Sequence, residues 1–550
     1  MKTSNRMAGL LAPHRTAGLI ALLCATATAL AEPTQQPHGQ TIPAGQNEIH
    51  SQPAAPDLVL RGILTGEDNQ KWRLVPFEVP EGTTRITVDF DYDTRDQRTV
   101  IDLGILGPDG FHGQDGFRGW SGGNKQTFTI SATDATPSYL PGAIRPGSWN
   151  LMLSIPNIRR DTRAQYTANV RFERADAGGN SNQEFSPVLR NEPGWYRGDL
   201  HMHTANSDGS CVSRKGRRVP CPLYFTVKAA SDRGLDFIAI TDHNTISHAN
   251  EMRELQPWFD DLLLIPGREI TTFTGHGNLI GTVASVDFRV GSPEVPDWNA
   301  FLKAAARTGG LFSINHALHP SGEACMGCGW TPAGDVDYSR VASIEVANGT
   351  DADGPKSGIP FWEQLLNRGY HLTGVGGSDN HDAFLPLLKS ETEGGGASSD
   401  STSAPKRNNA VGTPTTVVYA DSLSQGAIVA AIRRGRVFVD VQGSRDRLLD
   451  VTATSRQHTV HMGDTLEVRS HESVQFEGAV TGVSDGEIQV ILDGQRVPLL
   501  SDPSVRSTSQ SFTFKWRTDG KPHWMRIDVR DQESHLLLVG NPIYVQSPVH

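Results

Sequence analysis

Basic residues are in short supply. Fifty lysines and arginines face 61 aspartates and glutamates over 550 residues, a formal net charge of −11. Such a deficit leaves no electrostatic footprint for nucleic acid or for an anionic lipid surface. Long apolar runs are lacking as well. Beyond an N-terminal leader nothing approaches the roughly 18 consecutive apolar residues that a bilayer-crossing helix requires, so no later segment is expected to span a membrane. Cysteine is scarce, with five in the chain and a single CxxC pair, Cys325-Met326-Gly327-Cys328. One such pair falls short of the doubled spacing of a four-cysteine zinc site. Hydrophobic residues at 37% and charged residues at 20%, strongly patterned, exclude a disordered chain. The length exceeds what one core can serve, so several domains are expected.

What is present begins with a leader. Lys2, Arg6 and Arg15 precede the apolar stretch from Ala17 to Leu30, and Ala29-Leu30-Ala31 has the small-x-small spacing of a signal-peptidase site. The expectation is export by a Sec-type signal peptide, residues 1–31, with cleavage after Ala31 and a periplasmic or secreted product. Cys24 leaves with that segment. Cys211, Cys221, Cys325 and Cys328 remain, an even number in an oxidising compartment, which favours disulfides. Both pairs fall in loops, so the local pairing Cys211–Cys221 and Cys325–Cys328 is expected.

Residues 32–56 are rich in Gln, Pro, Gly and His and are expected to be a flexible leader. Residues 57–174 alternate in short runs such as Arg85 to Phe90, separated by turn signals such as Pro108-Asp109-Gly110, which predicts an antiparallel β-sandwich. After a polar linker, 175–194, the texture changes. Over 195–442 apolar strands such as Phe237 to Ile240 and Ser343 to Val346 alternate with amphipathic helices, among them Trp298 to Thr308 and Phe361 to Arg368. That alternation predicts parallel strands joined by crossover helices, in a barrel or an open sheet. A Gly/Ser-rich loop interrupts it from Ser390 to Asn409. Residues 443–550 return to short strands and predict a second, immunoglobulin-like antiparallel β-sandwich.

The chemistry-bearing residues sit where apolar runs stop. In Asp199-Leu200-His201-Met202-His203, residues two apart on a strand face the same way, so both imidazoles point together. Asp208 follows shortly. Asp242-His243 ends the run from Asp236 to Thr241, and Glu269 follows Leu262 to Pro266. His276 and Asn278 share a strand face, His316 follows Leu311 to Asn315, and Asp379-Asn380-His381 follows Thr373 to Gly377. Strand ends of this kind converge at one mouth of an α/β barrel, and a cluster of His, Asp and Glu there is a metal site.

This set of HxH, DH, a lone Glu, further histidines and a late Asp-x-His resembles the polymerase and histidinol phosphatase (PHP) superfamily. Phe117 to Gly123, Ala135 to Gly142 and Asn541-Pro542-Ile543-Tyr544-Val545 resemble its CehA/McbA metallohydrolases, named for carbaryl hydrolases. The resemblance implies a multidomain protein in which a central distorted (β/α)7 PHP barrel is flanked by N-terminal and C-terminal antiparallel β-sandwich domains. It implies two or three divalent ions, Mn, Zn or Fe, acting through a metal-bridged hydroxide. By motif, His201, His203, Glu269 and Asp379 would hold one ion. Glu269, His276 and His316 would hold a second, and Asp208, His243 and His381 a third. Glu269 and Asp379 would then act in catalysis together with holding metal. His319, three residues beyond His316, is a candidate substrate contact or proton donor.

Other residues carry blander expectations. Strand alternation turns Arg268 away from the metals, and Asn278 and Asn315 suit packing or ligand support. Asp242 suits either a ligand support or a turn cap. Gly119-Trp120-Ser121-Gly122-Gly123 matches a serine-nucleophile elbow, but the alternating run that follows it is strand-like where the elbow requires a helix. The resulting expectation is an exported metal-dependent hydrolase of small-molecule esters, with phosphate esters favoured. Carbamate or aryl esters, and a non-catalytic surface- or glycan-binding protein with a vestigial site, are the alternatives.

Overall fold

Alternating apolar and polar residues build the first part of the chain into two four-stranded antiparallel sheets. One orders Leu58–Thr65, Arg163–Arg174, Thr83–Tyr92 and Thr127–Ser131; the other orders Lys71–Val79, Gly147–Asn157, Val100–Leu106 and Phe117–Ser121. Their inward residues, including Phe77, Val88, Leu103, Phe128 and Trp149, form one core. The computed structural model describes residues 55–548 apart from 111–115, 122–124, 137–138, 175–186, 285, 323–324, 326, 350 and 386–408. The expected signal peptide, most of the leader 32–56, most of the linker 175–194 and nearly all of the loop from Ser390 to Asn409 lie outside the described residues.

Two of the segments that carried the resemblance meet here for a physical reason. The buried guanidinium of Arg118 donates to the carbonyls of Leu140, Gly142 and Ala143 at 3.1, 2.8 and 3.0 Å. Buried guanidinium donors need acceptors, and these carbonyls supply three. Ser121 lies at the end of an antiparallel strand, its hydroxyl 2.8 Å from the Tyr139 hydroxyl. The other sheet, with Thr83–Tyr92 and Thr127–Ser131, attaches to the next part of the chain through Asp134, which is buried with Arg85 and Arg253 and sits beside an Ala135 N–H to Asn250 Oδ1 bond of 2.8 Å.

The middle of the chain is built on largely buried strands, of which Phe237–Ile240 is an unbroken apolar run. We label them β1 Gly194–Asp199, β2 Phe237–Ile240, β3 Leu263–Thr272, β4 Gly275–Ile280, β5 Leu311–Ile314, β6 Ser343–Asn348 and β7 Thr373–Gly377. They lie edge to edge in that order. Past the end of β1, His203 N–H donates to the Asn380 carbonyl and Asp379 N–H to the His201 carbonyl, both at 2.8 Å. The chain leaving β1 thus runs beside the chain leaving β7. Pairing is parallel for β1–β2–β3 and for β5–β6–β7, but β4 is antiparallel to both neighbours. This corrects the expectation of parallel strands throughout. Only Phe273 and Thr274 separate β3 from β4, and a parallel crossover needs a dozen residues or more.

Five α-helices occur among the described residues: α1 Leu223–Asp232, α2 Ala249–Leu255, α3 Trp298–Ala306, α4 Ile359–Asn367 and α5 Gln425–Arg434. Asp297 caps α3 by accepting from Ala300 N–H, and Ser424 caps α5 by accepting from Ala427 N–H. No helix among the described residues is long and apolar enough to cross a membrane. The protein is β-rich, with several sheets and few helices.

The sheet does not stop where a third domain was expected. On the other edge of β1 lie β8 Thr415–Ala420 and β9 Val437–Asp440, and β9 pairs antiparallel with Leu536–Gly540. Hydrogen bonds therefore cross the expected boundary at 442/443, and residues 55–550 cluster as one unit. The C-terminal part adds a four-stranded antiparallel sheet, His458–His461, Leu448–Ser455, Ser473–Thr481 and Ser509–Arg517, sharing a core with the long sheet. Asn541 fastens this part to the middle. Its buried carboxamide accepts from Gly374 N–H at 2.7 Å and donates to the carbonyls of Gly374 and Val437, both at 2.9 Å.

Replacing Asn541 with Ala leaves three buried backbone groups without partners, each costing about 1–3 kcal/mol. The urea midpoint of N541A is expected to fall markedly at an unchanged slope. A midpoint within error of the parent would show that Asn541 does not secure this junction.

Candidate metal centre

The strands parallel to β1 end on one side of the sheet and antiparallel β4 begins there, and the titratable side chains collect on that side. Glu269 lies inside β3 and is buried at its centre. One carboxylate oxygen, Oε1, lies 3.4 Å from His201 Nε2, 3.4 Å from His276 Nδ1 and 3.2 Å from His316 Nε2. The other, Oε2, lies 2.8 Å from His243 Nδ1 and 3.7 Å from His203 Nε2. Asp379 Oδ1 lies 3.3 Å from His201 Nε2 and 3.1 Å from His203 Nε2. Asp208 Oδ1 lies 3.1 Å from His381 Nε2, 3.6 Å from His243 Nε2 and 3.9 Å from His203 Nδ1. All nine expected ligands are thus brought together.

Four overlapping groups of these donors could each hold a metal ion: His203, Asp208, His243 and His381; His201, Glu269 and His316; His201, His203 and Asp379; and His276, His316 and Cys328. The last is weakened by chemistry. Cys328 is paired with Cys325, so its sulfur is not a free thiolate, and Glu269 reaches both of its histidines instead. The donor set fits divalent ions. His201 Nε2 and His203 Nε2 face each other at 3.2 Å, and both oxygens of the buried Glu269 are crowded by imidazole nitrogens, Oε2 at 2.8 Å from His243 Nδ1. Lone pairs packed this closely repel unless cations lie between them.

The electrostatics say the same. Burial opposes the charged form of His201, but Asp379, Glu269 and Glu345 outweigh it and hold its pKa well above the ordinary value. Burial likewise opposes charge on His316 and His381, yet Glu269 for the first and Asp208 for the second push each up to about 9. Burial and the neighbouring His381 cation push His203 down to about 4. For Glu269 and Asp379, burial is overcome by the surrounding imidazoles, led by His201, and both carboxyls sit well below their usual range. Without ions, protons supply the missing positive charge.

The surrounding residues fix this geometry. Glu345, buried in β6, lies 3.1 Å from His201 Nδ1 through one oxygen and accepts the His316 N–H at 2.9 Å through the other. Asn348 donates to Glu345 at 3.0 Å. A carboxylate behind a histidine sets its tautomer and orientation. Asp199 accepts backbone N–H bonds from His201, Ser378 and Gly412 at 3.2, 3.0 and 2.7 Å, tying the ends of β1 and β7 to the start of β8. At Gly377 any side chain would run into Glu345 and His201. His316 and Asp379 hold left-handed backbone, φ 28° and 52°, a conformation costing about 1–3 kcal/mol each that clusters at functional sites.

Asp242 resolves as a support. It accepts from Thr204 N–H and Oγ1, both at 2.7 Å, and from Ser207 Oγ at 2.6 Å, and it pairs with buried His248 at 3.0 Å. It thereby shapes the loop that carries Asp208. Asn315 donates to Glu269 Oε1 at 2.9 Å, and Asn278 donates to the Leu200 carbonyl at 3.1 Å. Arg268 faces away and is buried, its guanidinium donating to the Ala284 carbonyl at 2.5 Å. His319 stands beside His316, ring centroids 5.1 Å apart, with Nε2 3.8 Å from Asp351. Burial and the His316 cation push its pKa down to about 4.

Glu345 escaped the reading of the sequence. Its signal was a lone carboxylate in the otherwise apolar and neutral run of β6. Both expected cysteine pairs form, Cys211–Cys221 and Cys325–Cys328. No protein-family model matches the chain, and no curated protein matches it.

Metal uptake at neutral pH must displace the protons held on His201, His316 and His381, about three per chain. Calorimetry in buffers of different ionisation enthalpy should report that release, with affinity rising as pH rises through the raised values of these histidines. Heats independent of buffer would count against the site. Glu345→Gln should weaken metal retention by about 10- to 100-fold while leaving the fold intact.

Proposed function

We propose that the protein is an exported, metal-dependent hydrolase of the PHP superfamily, acting on small phosphate esters. The observation that carries this reading is the convergence of nine His, Asp and Glu side chains around buried Glu269, with no competing nucleophile among them. The ring of seven strands, closed by the His203–Asn380 and Asp379–His201 backbone bonds, is read as the distorted (β/α)7 barrel of that superfamily. Export rests on the leader pattern of residues 1–31 and on the two cysteine pairs.

His201, His203, Glu269 and Asp379 would hold one ion, Glu269, His276 and His316 a second, and Asp208, His243 and His381 a third. Divalent ions there supply Lewis acidity and make water a competent nucleophile near neutral pH. The chain's own residues do the rest. Glu269, with an oxygen toward each of two groups, sets their spacing. Glu345 and Asn315 hold His201 and Glu269 in place so that no reorganisation accompanies reaction. His319, partly exposed beside Asp351, stands where it would meet the substrate. Three groups of donors favour a phosphoryl group, which presents several anionic oxygens where a carboxylate or carbamate ester presents one carbonyl.

Turnover of a panel of phosphate, carboxylate and carbamate esters tests the reading. Exhaustive chelation should abolish hydrolysis, and Mn, Zn or Fe should restore it to different extents. Glu269→Gln should lower kcat/KM by more than about 100-fold, beyond what loss of a supporting residue does. Ser121→Ala should leave turnover nearly intact. Activity that survives chelation, or that disappears in S121A, would refute the assignment.

A further inference from the structure

Between Asp208 and Asp232 the chain has no acidic residue, and four of the nine residues enclosed by Cys211 and Cys221 are basic: Arg214, Lys215, Arg217 and Arg218. In a protein of net charge −11 this is a local reversal of sign. The segment is a built element. Ser210–Val212 pairs antiparallel with Arg218–Pro220, the Cys211–Cys221 disulfide staples its base, and the turn closes through Ser213 N–H to the Arg217 carbonyl at 2.8 Å. Gly216 takes φ 75° in that turn, where a side chain would be strained. All four basic side chains are exposed.

The hairpin stands on the metal centre. Ser210 N–H donates to the carbonyl of His381 at 2.7 Å, and Asp208 lies two residues before the first strand. Arg218 pairs with Asp382, the neighbour of His381, at 3.5 Å. Arg214, Lys215 and Arg217 have no acidic partner among the described residues. The disulfide packs on Ala383, so the base is held rigidly against the chain that carries Asp379 and His381.

We propose that this hairpin is a second anion-binding element of the site, holding a phosphate remote from the ester that is cleaved. The preferred substrates are then multiply phosphorylated esters. The proposal deepens the phosphoesterase reading and rests on it. Clustered cations at the rim of an acidic molecule raise the local concentration of anions that the rest of the surface repels. Three to four residues separate base from tip, about 10–13 Å at strand rise, so the remote phosphate sits several bonds from the scissile one.

The test uses matched pairs on the metal-loaded mature chain. Butane-1,4-diyl bisphosphonate and butylphosphonate, which cannot be hydrolysed, report binding by calorimetry; butane-1,4-diol bisphosphate and butyl phosphate report turnover. The parent should bind the bisphosphonate about tenfold more tightly, as three exposed ion pairs allow. That preference should shrink with added salt and collapse in R214A/K215A/R217A, but persist in R214K/R217K. Equal affinity for the two phosphonates, or a preference that survives the triple substitution, overturns the proposal. A binding preference with neither phosphate hydrolysed supports the hairpin site and defeats the phosphoesterase reading instead. Hydrolysis of both phosphates without a binding preference does the reverse.

Discussion

A carboxylate buried among imidazoles is the constraint on which the rest of this structure depends. Glu269 is almost completely enclosed, and an isolated charge there would be too costly to keep. It remains ionised because His201, His203, His243, His276 and His316 surround it at 2.8–3.7 Å. Those histidines come from four different strands or strand ends, so a compensated Glu269 requires all of them to arrive together. Seven neighbouring strands, with the chains leaving β1 and β7 bonded side by side, meet that requirement.

Holding these ends in place takes more than the strands. Asp199 binds three backbone N–H groups from separate segments, and Glu345 reaches both an imidazole and a backbone N–H. Left-handed backbone at His316 and Asp379 is tolerated because each N–H is secured, by Glu345 in one case and by the His201 carbonyl in the other. The same carboxylate thus orients one candidate ligand and fixes the strained backbone of another. Positions of this kind fix angles that a metal centre is sensitive to, without offering the ions a donor themselves.

How far the sequence disclosed all this varies with the range of the interaction. His201 and His203 were legible because a period of two is local, and Asp379 and His381 were legible for the same reason. The amphipathic helices at 298 and 359 showed in their apolar spacing. Helix α1 did not, since Pro222 precedes it and offers no side-chain cap, and α2 did not, since it is only seven residues long. Glu345 was hidden because its significance is a partner 144 positions away. The sheet that continues from β9 to Leu536–Gly540 was hidden likewise, since antiparallel pairing across about a hundred residues leaves no periodic trace. The outer parts read as separate domains because alternation reveals a strand but not its neighbour.

His203 shows how the groups of donors must divide. It belongs to two of them, with Nε2 3.1 Å from Asp379 and Nδ1 3.9 Å from Asp208. Burial and the His381 cation keep its pKa near 4, so it is neutral, with one nitrogen carrying a proton and the other a lone pair. It can therefore serve one ion and not two. Asp208, His243 and His381 already make a three-donor group without it, while His201 and Asp379 are completed on that side by His203 and Glu269. The division that satisfies both puts the His203 lone pair on Nε2 and its proton on Nδ1. That proton then faces Ser207 Oγ at 3.4 Å and the Asp208 carboxylate beyond it. Asp242, which accepts from Ser207 Oγ, sits behind that hydroxyl. The chain of contacts links the tautomer of one ligand to the loop that carries another, so the two groups share an orientation without sharing a donor.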